Sequence, residues 1–256
     1  MDAREWLELS YNHDNITTEF FRRFECSRVT PEMLDALLAD AWRHHGTIFF
    51  RDMFNVVGDH LRLVVPLRVR VREFEPSRSQ RRILRRNADL HWEFGDAGHS
   101  RAKDELFNRH AERFNENRPQ QLSDFLAHQA HFRPCRTLEC RVYLGDELVA
   151  TSFVSQGKTA LSSIYAMFEP DEARRSLGIF TLLREIEFAQ QGGYNFLYLG
   201  YAHAADSYYD YKKGFAACEY FDWRRGWLPY DGNPVMADLH PLDGLEVRSF
   251  LDEADA

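Results

Sequence analysis

From Leu61 to Val71 the chain alternates. Leu61, Leu63, Val65, Leu67, Val69 and Val71 fall on one side, and Arg62, Arg68, Arg70 and Arg72 on the other. A period of two predicts a half-buried strand with a basic outer face. Upstream, Thr30-Pro31-Glu32-Met33 combines a hydroxyl cap, a first-turn proline and an acid, so a helix is predicted there. Leu34, Leu37, Leu38, Ala41 and Trp42 continue it at helical spacing to a stop at Gly46, and Thr47 to Phe50 reads as a strand. Ser77 caps a short predicted helix from Arg78 to Ala88, and His91 to Phe94 is a candidate strand. Ser100 to Glu116 and Pro119 to Ala130 have the periodicity of two amphipathic helices.

Three extended runs follow: Leu138 to Leu144, Leu148 to Ser155 and Thr159 to Phe168. Gly145-Asp146-Glu147 and Gln156-Gly157-Lys158 turn between them, which predicts a β-meander. Arg174 to Gln191 is a predicted helix with Leu177, Phe180, Leu183, Ile186 and Ala189 on one face, stopped by Gly192-Gly193. A short buried strand (Phe196 to Leu199), a short helix (Asp206 to Lys213) and a last strand (Cys218 to Trp223) complete the pattern. The stretch after Asp231 reads as loop and frayed end.

Composition adds a few limits. With 256 residues, 44% apolar and 14% aromatic, a sizeable core is expected. No apolar run approaches the length of a membrane helix, and the charged opening Met-Asp-Ala-Arg-Glu-Trp does not read as a signal peptide. Cys26, Cys135, Cys140 and Cys218 are scattered, as in a reducing compartment, so a cytoplasmic protein without a membrane partner is expected. His128 and His131 with Cys135 and Cys140 are metal-binding residue types, but their spacing matches no common zinc pattern, and no metal is expected.

The net charge of −8 argues against a general nucleic-acid coat, yet nine arginines and only Glu73 and Glu75 lie between Arg62 and Arg86. Such a stripe is a local footprint for a polyanion. Its bland rival is the solvated face of a strand and a helix, and the chain's 28 arginines against four lysines weaken arginine as a signal.

From about residue 88 the predicted order is strand, two helices, three antiparallel strands, helix, strand, helix, strand. That order resembles the GNAT acyltransferase fold. The resemblance implies parallel strands that splay, with an acyl donor between them near the N-terminus of the helix after the meander. The expectation is thus an α/β (α+β) fold in three parts. Residues 1–87 form a small N-terminal α/β domain bearing the basic stripe 62–86. Residues 88–230 form a GNAT-type catalytic domain with a mixed central sheet, and residues 231–256 form a tail. Acetyl-CoA members carry Arg/Gln-x-x-Gly-x-Gly/Ala at that helix; Arg174-Arg175-Ser176-Leu177-Gly178-Ile179 keeps one glycine.

Three stretches narrow the donor: Phe74-Glu75-Pro76-Ser77-Arg78-Ser79-Gln80-Arg81-Arg82 with Arg86-Asn87-Ala88-Asp89-Leu90; Leu161 to Tyr165 through Glu169-Pro170-Asp171 to Arg175-Ser176-Leu177-Gly178; and Tyr198-Leu199-Gly200-Tyr201 with Tyr211-Lys212 and Phe215. In order and spacing they resemble the aminoacyl-tRNA–protein transferase family, over roughly Val65 to Trp227. The family's paired N-terminal cysteines are reduced here to Cys26, and Ala202-His203 and Tyr208-Tyr209 replace family residues in the third stretch.

The resemblance implies transfer of arginine or leucine from aminoacyl-tRNA, as co-substrate and without other cofactor, to proteins with acidic N-termini. Tyr198, Tyr201 and Lys212 are the candidate catalytic residues. Arg78, Arg81, Arg82, Arg85, Arg86, Arg174, Arg175, Ser176, Gly178, Gly200 and Tyr211 are candidates for tRNA and substrate binding. The backbone of Ala166 to Phe168 is the candidate oxyanion donor. Two alternatives stay open: an acetyl-CoA-dependent N-acyltransferase acting on a small amine or peptide, and a non-catalytic tRNA- or protein-binding relative.

Overall fold

The computed structural model describes residues 20–114, 118–232 and 243–244. Most of the expected tail, and the end of the helix expected over 100–116, lie outside the described residues. Strands β1 (Phe21–Glu25), β2 (Arg43–His45) and β3 (Ile48–Asp52) form a small antiparallel sheet in the order β1-β3-β2 beside helix α1 (Pro31–Ala39). Thr30 caps α1 by accepting from the Met33 N–H, as its hydroxyl predicts. The helix stops at Ala39, well before Gly46. Ala41 takes φ 61°, and the chain turns into β2.

The main sheet has nine strands. The meander supplies β6 (His91–Asp96), β7 (Thr137–Leu144), β8 (Glu147–Gln156) and β9 (Ala160–Phe168), paired antiparallel. Strand β10 (Phe196–His203) lies parallel to β9, then β5 (His60–Arg70), β11 (Cys218–Asp222) and β12 (Gly226–Pro229) follow antiparallel; β4 (Phe54–Val57) pairs with the start of β5. This mixed sheet is the GNAT-type arrangement expected from the order of elements. Strand β5 precedes residue 88 yet runs between β10 and β11, so the two expected domains share one sheet.

Helix α4 (Leu177–Gln191) covers one face. Leu182, Leu183 and Ile186 pack on Val65, Leu67 and Val69 of β5, and Leu177 and Phe180 on Val142 and Ala150 of the meander. Each such side chain contributes about 2 kcal/mol on burial. Helix α3 (Arg101–Ala111) covers the other face through Leu106 and Phe107 against Phe153 and Met167. Helix α2 (Arg78–Arg86) starts at Ser77, whose hydroxyl and the Gln80 side chain close a reciprocal cap.

Two expectations need correction. The helix predicted over 119–130 is a short 3-10 turn, Leu122–Asp124, within irregular chain. Leu122, Leu126 and Ala130 are buried, so the apolar spacing is satisfied without a helix. The Phe125 carbonyl accepts from the Gly46 N–H, which ties the segment to the β2–β3 turn. The basic face of β5 is also not a free surface at its centre. Arg68 donates to Glu219 at 2.6 Å and to the Tyr198 hydroxyl at 3.2 Å, and lies over the Phe196 and Trp227 rings. Arg70 faces Glu219 and Glu73.

Candidate functional site

Strands β9 and β10 pair over only three residues, from Phe196↔Ala160 to Tyr198↔Ser162, and then part. Each carries a bulge near the divergence: Ile164 in β9, where the register with β8 slips, and Leu199 in β10, where the register with β5 slips. Beyond Ser162 the free edge of β9 therefore faces a cleft of about 1050 Å³, with Tyr201 and His203 of β10 across it. The N-terminal end of α4 closes its base through Ser176, Gly178 and Ile179. Ser176 sits at φ 57°, ψ 47°, a left-handed conformation unusual for serine, and leads the unpaired N–H groups of the first turn into the cleft.

The opposite rim comes from the 3-10 segment Tyr208–Gly214, capped by Ser207 and Asp210. It brings Tyr209, Tyr211 and Lys212 into the cleft. Lys212 Nζ donates to the Tyr201 carbonyl at 3.4 Å and lies 5.0 Å from the Tyr209 ring centre. Burial, and then the neighbouring Arg43 cation, push its ammonium down to about 7, against the pull of Glu185. Glu185, on the buried face of α4, is fully inaccessible. Its carboxyl is pushed up to about 7 by desolvation; the hydroxyls of Ser152 and Ser163 and the charge of Lys212 pull the other way. Neither carboxyl oxygen closes a well-formed hydrogen bond. A lysine that titrates near neutrality at the cleft wall can exchange protons with a substrate, while Glu185, enclosed behind it, acts on it through charge alone.

Gly200 is required here. It takes φ 87°, and a Cβ would meet Arg43 Nη2 at 3.0 Å and Lys212 Nζ at 3.2 Å. His110 of α3 lies on the meander side, and burial holds its ring neutral, at about 4. It stands beside the Phe168 backbone, and the Phe168 N–H donates to its Nδ1 at 3.2 Å, so that group is already occupied. Ala166 of the candidate oxyanion stretch does line the cleft.

The cationic residues gather next to the α4 end. Arg85, Arg86, Arg174 and Arg175 line an open groove of about 880 Å³. Arg86 donates to the Arg174 carbonyl, and Asn87 donates to the Arg175 carbonyl, fixing α2 against the turn that enters α4. Arg175 is committed to Asp89 and Glu172. Arg78, Arg81, Arg82, Arg85, Arg86 and Arg174 are exposed.

The structure thus brings Tyr201, Lys212, Gly200, Tyr211, Ser176 and Gly178 to one cleft, and the arginines to its α4 side. It does not bring Tyr198 there. That residue is 6% exposed, faces α1 and Trp227, and bonds Arg68, because alternation along β10 turns it away from Leu197 and Leu199. Sequence reasoning missed Arg43, His110 and Glu185. Glu185 left a signal: it shares the apolar face of α4 with Thr181, Leu182 and Ala189, where a charge is out of place. Arg43 left none. Among the described residues there is no group of three or more His, Cys, Asp or Glu able to hold a metal. Among them, too, no helix is long and apolar enough to cross a membrane.

Residues 102–222 match the family described as arginine-tRNA-protein transferase, C terminus. An aspartate/glutamate leucyltransferase of Stenotrophomonas maltophilia (strain K279a) is 33% identical over 187 residues, which are 68% of this chain and 72% of that protein. One of Shewanella sp. (strain MR-4) is 31% identical over 189 residues, 72% of this chain and 76% of that one. Among solved structures, a GCN5-related N-acetyltransferase from Kribbella flavida aligns with 69% of this chain and 61% of its own, at 17% identity and a TM-score of 0.35.

Proposed function

Because the chain belongs to the aminoacyl-tRNA–protein transferase family, we propose that it moves leucine from leucyl-tRNA to the N-terminus of proteins that begin with aspartate or glutamate. The relatives' names supply the donor and the acceptors. The observation that carries the reading is the cleft between β9 and β10, with a lysine at one wall and an arginine groove beside the helix that floors it.

The reaction is aminolysis of an activated ester. The acceptor's α-amine attacks the aminoacyl carbonyl, an N–C bond forms, and the bond from that carbon to the terminal ribose oxygen breaks. The neutral form of Lys212, populated near pH 7, takes the proton that the attacking amine loses. Tyr201, on the same wall, hands a proton to the departing ribose hydroxyl. Backbone N–H groups near Ala166 and at the start of α4 stabilise the oxyanion. Arg78, Arg81, Arg82, Arg85, Arg86 and Arg174 hold phosphates of the acceptor stem, a task suited to exposed guanidinium groups; Arg175 sets the shape of the groove. The work is done in the cytoplasm, where charged tRNA is found, and needs neither a metal nor acetyl-CoA.

Purified protein incubated with leucyl-tRNA and a peptide starting with aspartate should add the mass of one leucyl residue to the peptide. Acetylation of the peptide from acetyl-CoA, with no transfer from charged tRNA, would replace this reading with a CoA-dependent one.

A further inference from the structure

Arg43 is an anomaly in this cleft. It enters from β2 of the small N-terminal sheet and lies over the Tyr201 ring at 4.8 Å and the Phe50 ring at 5.6 Å from their centres. Its Nη1 is buried with no hydrogen-bond partner, and among the described residues it forms no ion pair within 4.0 Å. Asp52, the carboxylate whose charge it feels, accepts from Arg23 at Oδ2 (3.2 Å) and leaves its own buried Oδ1 without a hydrogen bond. A guanidinium N–H buried without an acceptor is costly, because its desolvation is not repaid by a partner. A second cation, Lys212 Nζ, crowds the same point above Gly200. Asp52 and Glu185 act on these two cations only from a distance, so the Arg43 guanidinium keeps a bonding position open toward the cleft.

The size and position of the site narrow the anion. Arg43 lines both the main cleft and a side pocket of about 340 Å³ that opens from it, whose walls include Phe50, Asn55, Tyr201, Arg23 and the carboxylates Asp52 and Asp124. A pocket of that size readily admits a short carboxylic acid side chain. The arginine groove offered to phosphates is a separate pocket that shares no lining residue with this one. A carboxylate bound by the guanidinium sits beside Lys212, so the α-amine of the same residue comes next to the group that takes its proton.

We propose that Arg43 is the acceptor-specificity residue: its guanidinium binds the side-chain carboxylate of the aspartate or glutamate at the acceptor's N-terminus. The inference rests on the aminoacyl-transfer reading above and deepens it. It assigns acceptor choice to the N-terminal sheet, in a segment outside the matched family region of residues 102–222.

The test compares wild type, Arg43→Gln and Arg43→Lys with leucyl-tRNA and peptides that start with Asp, Glu, Asn or Gln. Wild type should favour the acidic acceptors. Arg43→Gln should lose roughly 100-fold in kcat/KM for Asp and Glu, mainly through KM, the range for unpairing a buried carboxylate. Its loss with Asn and Gln should be at least about tenfold smaller and appear in kcat, because without the Arg43 cation the Lys212 ammonium titrates higher, and Arg43→Lys should restore part of the acidic preference. Arg43→Gln that keeps the full preference overturns the inference while leaving the transfer reading intact. So does an equal loss with all four peptides, which would assign Arg43 to the donor. Absence of transfer by wild type with every peptide overturns the parent reading and this inference with it. Should Arg43→Gln fail to fold, a melting-temperature rise of wild type with an Asp-terminated dipeptide but not with its Asn counterpart supports the assignment; equal responses contradict it.

Discussion

Replacing Lys212 with methionine should make the protein more stable and inactive. The ammonium is shifted from 10.5 to about 7, and each unit corresponds to about 1.4 kcal/mol, so holding the charge there costs up to about 5 kcal/mol. The cleft is open to water on one side, which reduces the cost to about 2 kcal/mol. Methionine keeps the aliphatic stem against Tyr209 and removes the charge. The sign follows from proton binding. Between about 7 and 10.5 the unfolded chain binds more protons at this site than the folded one, so wild-type stability climbs with pH. The advantage of Lys212→Met is therefore full below pH 7, where Glu185, itself raised to about 7, is largely neutral. It shrinks as pH rises and disappears above about 10.5. Urea unfolding of both proteins at pH 6, 8 and 10 measures the difference, and a transfer assay measures the loss. A variant less stable than wild type at pH 6, or an advantage that stays constant to pH 10, would refute the reasoning.

Reversing Arg81, Arg82 and Arg85 together to glutamate should abolish transfer and flatten the salt dependence of tRNA binding by about three charge units on a log–log plot. The melting temperature should hold, since all three are exposed. Gly200→Ala should cost about 1–2 kcal/mol, because the residue needs φ 87° and its new methyl would sit 3.0 Å from Arg43 Nη2; thermal unfolding checks the cost, and the transfer rate should fall with it. Tyr198→Phe should lose about 1 kcal/mol with the Arg68 bond yet transfer at a rate within about twofold of wild type. A large rate loss would return Tyr198 to the catalytic set.

The meander, α4 and β5 were legible in the sequence because each has one periodicity over many residues, and their buried faces agree with it. The 119–130 segment was not, since Leu122, Leu126 and Ala130 mimic a helical stripe while the chain bends to meet the β2–β3 turn. Lys212 and Tyr201 were legible through the family's third stretch. Tyr198, in the same stretch, faces the other way, because side-chain direction depends on strand register and a bulge at Leu199. Arg43 was hidden for a different reason: its place beside Gly200 comes from a contact between sheets far apart in sequence, and no local pattern encodes such a contact. Arg68 reads as surface charge from alternation alone, whereas Glu219 and Trp227 enclose it.

The choice of occupant for the splayed cleft can be read in one melting experiment on the wild-type protein. A non-hydrolysable leucyl-adenosine amide should raise the melting temperature, and acetyl-CoA at the same concentration should not. Stabilisation by acetyl-CoA with no response to the leucyl-adenosine amide would contradict the account.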